Sequence, residues 1–217
     1  MPSWSIHLSL ASKLKNSLKL TDEFIIGNIM PDILIGYLIK NPSQIIDKNI
    51  NHFQDGKPPI INIDKFIKKY KKELKKPIIK GYLAHLMTDK FYNEYTYKKH
   101  YLFTDGRPKV ILNDGTKISA LIEKPWQIKQ NDFEIYGQKL VNNNSITPIK
   151  ENIKNYNIIK ECPLNENDLN KTITKINKIS NNKKTYNKSK LRMFNEEELN
   201  KMYEECYQII YNKLKNI

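Results

Sequence analysis

The segment from Pro77 to about Tyr95 constrains the fold more than any other part of the chain. Apolar side chains occupy so many of its positions that a helix here has almost no polar side before Lys90. Such a helix must be covered by other elements on nearly every side, and Pro77 suits its first turn. We therefore predict a central, buried helix with the rest of the chain arranged around it.

Two polar residues, His85 and Asp89, interrupt this apolar helix. Residues four apart lie one turn along a helix and about 40° around it, so both side chains point to the same place. A buried carboxylate is costly unless it is paired or binds a cation, and no basic residue within one turn is placed to pair with Asp89. A divalent metal ion is the favoured partner. A simple hydrogen bond between His85 and Asp89 is the alternative.

Helical periodicity continues over most of the chain. Apolar residues recur at helical spacing in residues 5–18, 22–29, 64–74, 128–141, 166–179 and 195–215. Residues 109–118 instead predict a small β-hairpin, because two short apolar runs flank Asn113, Asp114 and Gly115. The predicted fold class is mainly α, a multi-helix bundle with one small hairpin.

We expect one helical metal-binding domain over residues 1–217. A chain of this length buries roughly 70% of the surface of its unfolded state, so neither a disulfide nor a metal is needed merely to hold it together. Residues 1–100 would supply the metal ligands, residues 101–150 a hairpin or lid and a supporting helix, and residues 151–217 a polar helical part.

Composition limits the compartment and the partners. The net charge of +14 favours polyanions or an anionic membrane surface, but only Arg107 and Arg192 are arginine, the residue that nucleic-acid interfaces prefer. We expect at most a weak contact with a polyanion or membrane surface. The two cysteines, Cys162 and Cys206, indicate a reducing compartment. With no secretion signal and no apolar stretch of the ~20 residues that span a membrane, we predict a cytoplasmic protein.

Metal ligands must come from a small set of residues. The chain has only four histidines, which are His7, His52, His85 and His100. His85 and Asp89 can hold a metal ion together, and Asp32 and His52 are the candidates that complete a nitrogen and oxygen site of the zinc type. His7 lies on the apolar face of the first helix, where it is either a further ligand or a core histidine with ordinary hydrogen bonds.

Four short segments that contain these residues resemble the zinc-dependent phospholipase C superfamily, which includes the single-strand-specific zinc nucleases. The segments are Pro2–His7, Gly27–Asp32, His52–Phe53 and Gly81–Asp89. The match covers residues 1 to about 100 in order and spacing, and the helical pair of His85 and Asp89 is its most specific part. The resemblance implies a mainly α-helical bundle with a cleft of three zinc ions that hydrolyses phosphodiesters or phosphomonoesters.

Carried over residue by residue, the resemblance implies two zinc sites that share one carboxylate. The first would comprise Asp32, His52, His85 and Asp89, and Asp89 would bridge to a second zinc ion that His7 also holds. Members of the family use an amino-terminal tryptophan as a further ligand, whereas Trp4 is internal in this chain.

The third zinc site of the family has no clear counterpart in this chain. Tyr95 stands where the next ligand of the central helix is expected. His100 is one candidate replacement, and Asp132 or Glu134 could bring a carboxylate from the following helix. We therefore expect two zinc ions rather than three, with His100 and Asp132 as candidate additional ligands.

The predicted activity follows from the chemistry of bound zinc. Zinc lowers the pKa of a coordinated water from 15.7 to about 7 and so supplies hydroxide at neutral pH. Asp32 is the candidate general base besides being a ligand, and Asn51 and Thr88 are candidates to orient the histidine rings. We predict a zinc-dependent, phospholipase C-like phosphoric-ester hydrolase. Its substrate would be a phospholipid headgroup, a nucleotide or oligonucleotide, or a small phosphoester.

Two other classes of protein are compared with this hydrolase. The histidine-aspartate phosphohydrolases need an adjacent His-Asp dipeptide, and none of the four histidines is followed by aspartate. The other alternative is a non-catalytic module that keeps one structural zinc and binds RNA or an anionic membrane surface through the basic run 181–190. A flexible, solvated loop is the simpler interpretation of that run.

Overall fold

The computed structural model describes residues 2–36, 38–104 and 106–217. Within these residues the protein is mainly helical, with two small antiparallel sheets. This confirms the prediction of a mainly α protein. The helices are α1 (Trp4–Leu18), α2 (Glu23–Ile33), α3 (Lys48–Asn51), α4 (Ile63–Lys69), α5 (Pro77–His100), α6 (Pro125–Asn142), α7 (Glu166–Asn181) and α8 (Glu196–Lys215). The strands are β1 (Gln54–Asp55), β2 (Ile60–Ile61), β3 (Tyr101–Thr104), β4 (Arg107–Ile111) and β5 (Lys117–Ser119).

Helix α5 is buried along most of its length, as its apolar sequence predicts. It packs most closely against α2, and two glycines make that approach feasible. A Cβ atom on Gly27 would lie 2.0 Å from the carbonyl oxygen of Ile78, and one on Gly81 would lie 2.1 Å from that of Phe24. Because any larger residue at either position would push the two backbones apart, the glycines set how near α2 comes to the polar residues of α5.

The other long helices surround this pair. Helix α1 contacts α2, α5, α6 and α8, and its residues Ile6–Ser12 are all buried. Helix α8 lies against both α1 and α5, with Leu199, Met202 and Leu214 fully buried. The carboxyl-terminal helices therefore contribute to the same core as the amino-terminal ones.

Asparagine side chains begin the two carboxyl-terminal helices. The Asn165 side chain accepts from the N–H of Asp168, and the Asn195 side chain accepts from the N–H of Glu198, each at 2.8 Å. Such caps satisfy backbone donors that have no partner inside the helix. They place the starts of α7 and α8 within one residue of the predicted ones.

The hairpin predicted near residues 109–118 forms, but it belongs to a larger sheet. Strand β4 pairs with β5, and β3 adds to the other edge of β4 in antiparallel register. Strand β3 was not predicted, because it follows α5 directly with no glycine or proline to mark the change. Among the described residues, no helix combines the length and apolar character needed to cross a membrane.

Candidate metal centre

The five residues predicted as metal ligands lie together around α5. His7 comes from α1, Asp32 from the last turn of α2, His52 from the residue that ends α3, and His85 and Asp89 from α5. Each is 0% exposed. The fold therefore encloses three imidazoles and two carboxylates in one buried cluster, which we call the His/Asp centre.

Four donor atoms of the centre are spaced like ligands of a single ion. The His52 Nε2 atom lies 3.4 Å from Asp32 Oδ1, 3.5 Å from Asp89 Oδ2 and 3.3 Å from His85 Nε2. The distance from His85 Nε2 to Asp89 Oδ2 is 3.6 Å. Tetrahedral zinc with bonds of 2.0–2.1 Å sets its ligand atoms roughly 3.3–3.4 Å apart. Four of the six separations among these two nitrogens and two oxygens are therefore near the value for ligands of one zinc ion.

The second oxygen of Asp89 faces a different histidine. The distance from Asp89 Oδ1 to His7 Nε2 is 3.2 Å. The His7 ring stacks on the His85 ring, with centroids 4.2 Å apart and planes 12° from parallel. The two Asp89 oxygens thus point to two groups of nitrogen donors, as a carboxylate shared between two ions would.

Hydrogen bonds fix which nitrogen of His52 and of His85 faces the centre. His85 Nδ1 lies 2.6 Å from the carbonyl oxygen of Asn28, and His52 Nδ1 lies 2.8 Å from Asn51 Oδ1. Both partners accept hydrogen bonds, so each Nδ1 carries a proton, and in the neutral imidazole each Nε2 keeps its lone pair. Two Nε2 lone pairs 3.3 Å apart repel each other unless a cation or a shared proton lies between them.

Several polar atoms of the centre have no protein partner. Within the described residues, no hydrogen bond reaches either ring nitrogen of His7, Asp32 Oδ1, or either oxygen of Asp89. Leaving buried polar atoms unsatisfied costs about 1–3 kcal/mol each, and more for charged groups. Two overlapping groups, His7 with Asp32 and His85, and His52 with His85 and Asp89, have donor atoms within 4.8 Å of one another. A divalent ion bound by nitrogen and oxygen fits this donor set.

The electrostatics of the centre keep both carboxylates charged. Burial raises the pKa of Asp32, but the interactions with His52 and His85 outweigh it and bring the pKa to about 2. Burial also opposes ionisation of Asp89, yet His85 and His7 hold its pKa well below the usual value. Burial and the nearby His85 lower the pKa of His7, which favours the neutral form that binds metals.

The two residues predicted to orient histidine rings differ in their contacts. Asn51 meets the expectation, since its Oδ1 accepts from His52 while its Nδ2 donates to the Pro31 carbonyl at 2.8 Å. The prediction for Thr88 is corrected. Its hydroxyl donates to the Ala84 carbonyl at 2.8 Å within α5, a bond that satisfies the hydroxyl inside its own helix.

The structure also corrects the predicted additional ligands, His100 and Asp132, which lie outside the two donor groups. Asp132 accepts backbone N–H groups from Arg192, Met193 and Phe194 at 2.7–3.1 Å, so its carboxylate holds that loop. His100 lies between the Ile111 carbonyl at 2.9 Å and Glu198 Oε1 at 3.0 Å, which uses both ring nitrogens.

Two contacts of the centre were not predicted from the sequence. The indole Nε1 of Trp4 donates to Asp32 Oδ2 at 2.8 Å, which turns the other oxygen of Asp32 toward His52. Trp4 and His7 are three residues apart on α1, so their shared helix face was the available signal. The Tyr82 hydroxyl donates to the Asn51 carbonyl and so supports the residue that orients His52.

One basic residue, Lys129 of α6, also lies near the centre. The Lys129 Nζ atom bonds Asn93 Oδ1 at 3.4 Å, one helical turn beyond Asp89 on α5. Burial lowers the pKa of Lys129 while the charge of Asp89 opposes that shift, so the two charges interact. Nothing in the sequence separates Lys129 from the many other lysines.

The sequence matches no family model, and comparison with curated proteins and with solved structures finds no similar protein.

Proposed function

We propose that this chain is a zinc-dependent phosphoric-ester hydrolase of the phospholipase C type. The observation that carries the proposal is the clustering of two Nε2 atoms and two carboxylate oxygens at the buried centre. His52 Nε2 lies 3.3–3.5 Å from the other three atoms, and His85 Nε2 lies 3.6 Å from Asp89 Oδ2. In their neutral form both imidazoles present lone pairs there, because their other nitrogens are bonded to oxygen acceptors. A cation bound among these atoms would satisfy them.

Asp32, His52, His85 and Asp89 would hold one zinc ion, and His7 with the second Asp89 oxygen would contribute to another. When bound, such ions activate water as a nucleophile at neutral pH and polarise a phosphoryl oxygen. The resemblance of residues 1 to about 100 to the zinc-dependent phospholipase C superfamily supports the same reaction class.

The protein's own contribution is to hold the donors in place. Trp4 fixes the rotation of the Asp32 carboxylate, while the Asn28 carbonyl and Asn51 amide fix the rings of His85 and His52. Donors held in this way lose little entropy when they bind an ion. The Asp32 carboxylate, which is charged at neutral pH, is also the proposed acceptor of the proton released during hydrolysis.

Lys129 is the proposed partner of the substrate phosphate. Its bond to Asn93 places an ammonium group beside the α5 turn that follows Asp89. An ammonium at such a position attracts a phosphate dianion or diester and stabilises the charge that develops on its oxygens. Lys129 thereby gives α6 a role that the sequence alone did not suggest.

The complete burial of the five donors favours a second candidate function, a closed structural zinc site. Structural zinc sites have four protein ligands and no open position, whereas catalytic sites keep a position for water or substrate. The structural site binds zinc equally well and hydrolyses nothing.

The test is elemental analysis of protein purified without a chelator or histidine tag. We expect at least one equivalent of zinc in the wild type and little in His85→Ala, with His100→Ala as the control because His100 lies outside the centre. Circular dichroism shows whether each variant is folded, and His85→Gln replaces His85→Ala if that variant is not. Absence of zinc or a similar ion from the wild type would contradict the proposal.

Turnover on the same samples separates the two candidate functions. Bis(4-nitrophenyl) phosphate and 4-nitrophenyl phosphate are suitable chromogenic diester and monoester substrates. We expect hydrolysis that is lost with the zinc and restored when zinc is returned. Bound zinc without turnover of either substrate, or of a broader panel of phosphate esters, would favour the structural site.

A further inference from the structure

Exposed apolar side chains are concentrated at one end of the three-stranded sheet. Ten large apolar side chains among the described residues are more than a third exposed, and six of them lie between residues 97 and 126. Four of these six are Phe103 at 77%, Leu121 at 75%, Ile122 at 77% and Trp126 at 60%. We call these four residues the apolar tip.

The strand register brings Phe103 near the segment that carries Leu121 and Ile122. Phe103 of β3 pairs with Pro108 of β4, and the N–H of Ala120 bonds the Pro108 carbonyl at 3.0 Å from the other side. Phe103 and Ala120 therefore lie in one row across three strands, roughly 10 Å apart. Leu121 follows Ala120 directly, and Trp126 is the second residue of α6.

The loop that carries Leu121 and Ile122 is held by its own hydrogen bonds. The Ser119 carbonyl accepts the N–H groups of Ile122 at 3.4 Å and Glu123 at 3.1 Å, and the Ser119 hydroxyl accepts that of Leu121 at 3.4 Å. The two apolar side chains are thus presented to solvent by a formed turn. Exposed apolar groups that lie close together mark interaction sites.

Basic residues outnumber acidic ones in the segment that carries the apolar tip. Residues 98–129 contain seven lysines and arginines against three acidic residues, a net charge of +4. Arg107, which pairs with Thr104 beside Phe103, is exposed, and so is Lys124 between Ile122 and Trp126. The surface therefore offers apolar groups and cations side by side.

We propose that the apolar tip docks onto an anionic lipid surface. Apolar and aromatic side chains of peripheral proteins enter the boundary between headgroups and acyl chains, and each basic residue near an anionic leaflet adds about 1 kcal/mol. A second copy of the chain is a poor occupant, because each copy carries a net charge of +14 and would bring the same cationic face. Charge complementarity favours anionic lipid.

One member of the apolar tip, Trp126, lies near Lys129 on α6. Trp126 and Lys129 are three residues apart on α6 and share a helix face, and Lys129 bonds Asn93, one turn from Asp89. Docking itself needs no metal ion, so it does not rest on the proposed function.

The test is co-sedimentation of the full chain with vesicles of phosphatidylcholine, alone or mixed with phosphatidylserine. We expect binding to the mixed vesicles that weakens as salt is added. The double variant Leu121→Ser/Ile122→Ser should bind at least about tenfold more weakly, since each apolar side chain contributes through its buried carbons. Ile45→Ser, which changes an equally exposed isoleucine elsewhere, is the matched control and should bind like the wild type.

Fluorescence locates the contact. The chain has two tryptophans, and Trp126 is the exposed one while Trp4 is half-buried. We expect the emission to shift to shorter wavelength on adding anionic vesicles, and Trp126→Phe to remove the shift.

Three results would overturn the proposal: no binding to anionic vesicles, equal binding by the double variant, or equal loss in Ile45→Ser. A stable dimer that the double variant abolishes would assign the surface to a second copy, and capture of an acidic protein without vesicle binding would assign it to a protein partner. The vesicle measurements are repeated on chelator-treated protein, so that failure of docking and failure of the metal proposal remain distinguishable.

Discussion

Helix α5 carries two buried polar regions with the same residue types and different hydrogen bonding. The His/Asp centre near its middle has five ring and carboxylate atoms that no hydrogen bond reaches within the described residues. The region near its carboxyl end, with His100, Asp132 and Glu198, has its histidine and its Asp132 carboxylate fully engaged by protein groups. Residue type alone therefore does not distinguish a ligand from a structural contact; the difference lies in whether the protein satisfies the group.

The largest expected difference between the two regions concerns zinc and activity. Asp89→Asn should lose most of the bound zinc and at least about 1,000-fold in kcat/KM, because one charged donor to both proposed ions is removed. Asp132→Asn should keep its zinc but lose about 2–4 kcal/mol of stability, because three backbone N–H groups lose a charged acceptor. Elemental analysis, ester hydrolysis and urea unfolding measure these effects. Retained zinc in Asp89→Asn would contradict the proposal that the His/Asp centre binds the metal.

Removal of the metal should destabilise the wild-type protein strongly. An ion present at 1,000 times its dissociation constant adds about 4 kcal/mol, which corresponds to roughly 8–16 °C in Tm for a chain of this size. We expect EDTA to lower the Tm by about that amount in the wild type and in His100→Gln, but hardly in His85→Ala. Differential scanning fluorimetry gives the values, and an unchanged wild-type Tm would count against a bound ion.

Loss of the Trp4 contact should have a smaller effect. Trp4→Phe keeps the aromatic ring but removes the N–H that bonds Asp32, and groups that orient ligands are worth about 10–100-fold in metal affinity. We expect roughly tenfold weaker zinc binding in a competition with a chromophoric chelator. Thr88→Val, which removes a hydroxyl bonded within its own helix, is the control and should leave zinc affinity unchanged.

The smallest expected effect is a difference in pH dependence. Burial lowers the pKa of His100, but the Glu198 hydrogen bond and the Ile111 carbonyl outweigh it, so the pKa is raised. A histidine with a raised pKa stabilises the fold below its unfolded pKa of about 6.5 and loses that contribution as pH rises through the folded value. The free energy of unfolding of the wild type should therefore fall as pH rises through this range. The decrease that His100 causes should be absent from His100→Gln.

The His/Asp centre should respond to pH in the opposite direction. Zinc ligands must be deprotonated, so acidification releases the ion. We expect zinc occupancy to decline as pH falls below about 6 in both the wild type and His100→Gln. Urea unfolding measures how stability depends on pH, and zinc release over the same pH series measures occupancy of the His/Asp centre. If the His100 contribution and the zinc occupancy changed with pH in the same direction, the distinction between the two regions would be wrong.

The sequence predicted the helices and most of the centre, because both depend on local spacing. The apolar run of α5 and the four-residue interval of His85 and Asp89 can be recognised without a structure. The contacts of Asp132 could not, because a carboxylate on a half-buried helix looks the same whether it binds a metal or backbone N–H groups 60 residues away. Trp4 and Lys129 act across helix interfaces, and no local pattern records which helices meet.

The central claim is that Asp32, His52, His85 and Asp89 surround one zinc ion. X-ray diffraction from crystals of the protein grown without added metal, recorded on both sides of the zinc absorption edge, tests it most directly. We expect an anomalous peak at the His/Asp centre, with bonds of about 2.0–2.1 Å to the two Nε2 atoms and the two carboxylate oxygens. Absence of a peak there, with His52 Nε2 and His85 Nε2 at hydrogen-bonding distance from each other, would contradict a bound ion.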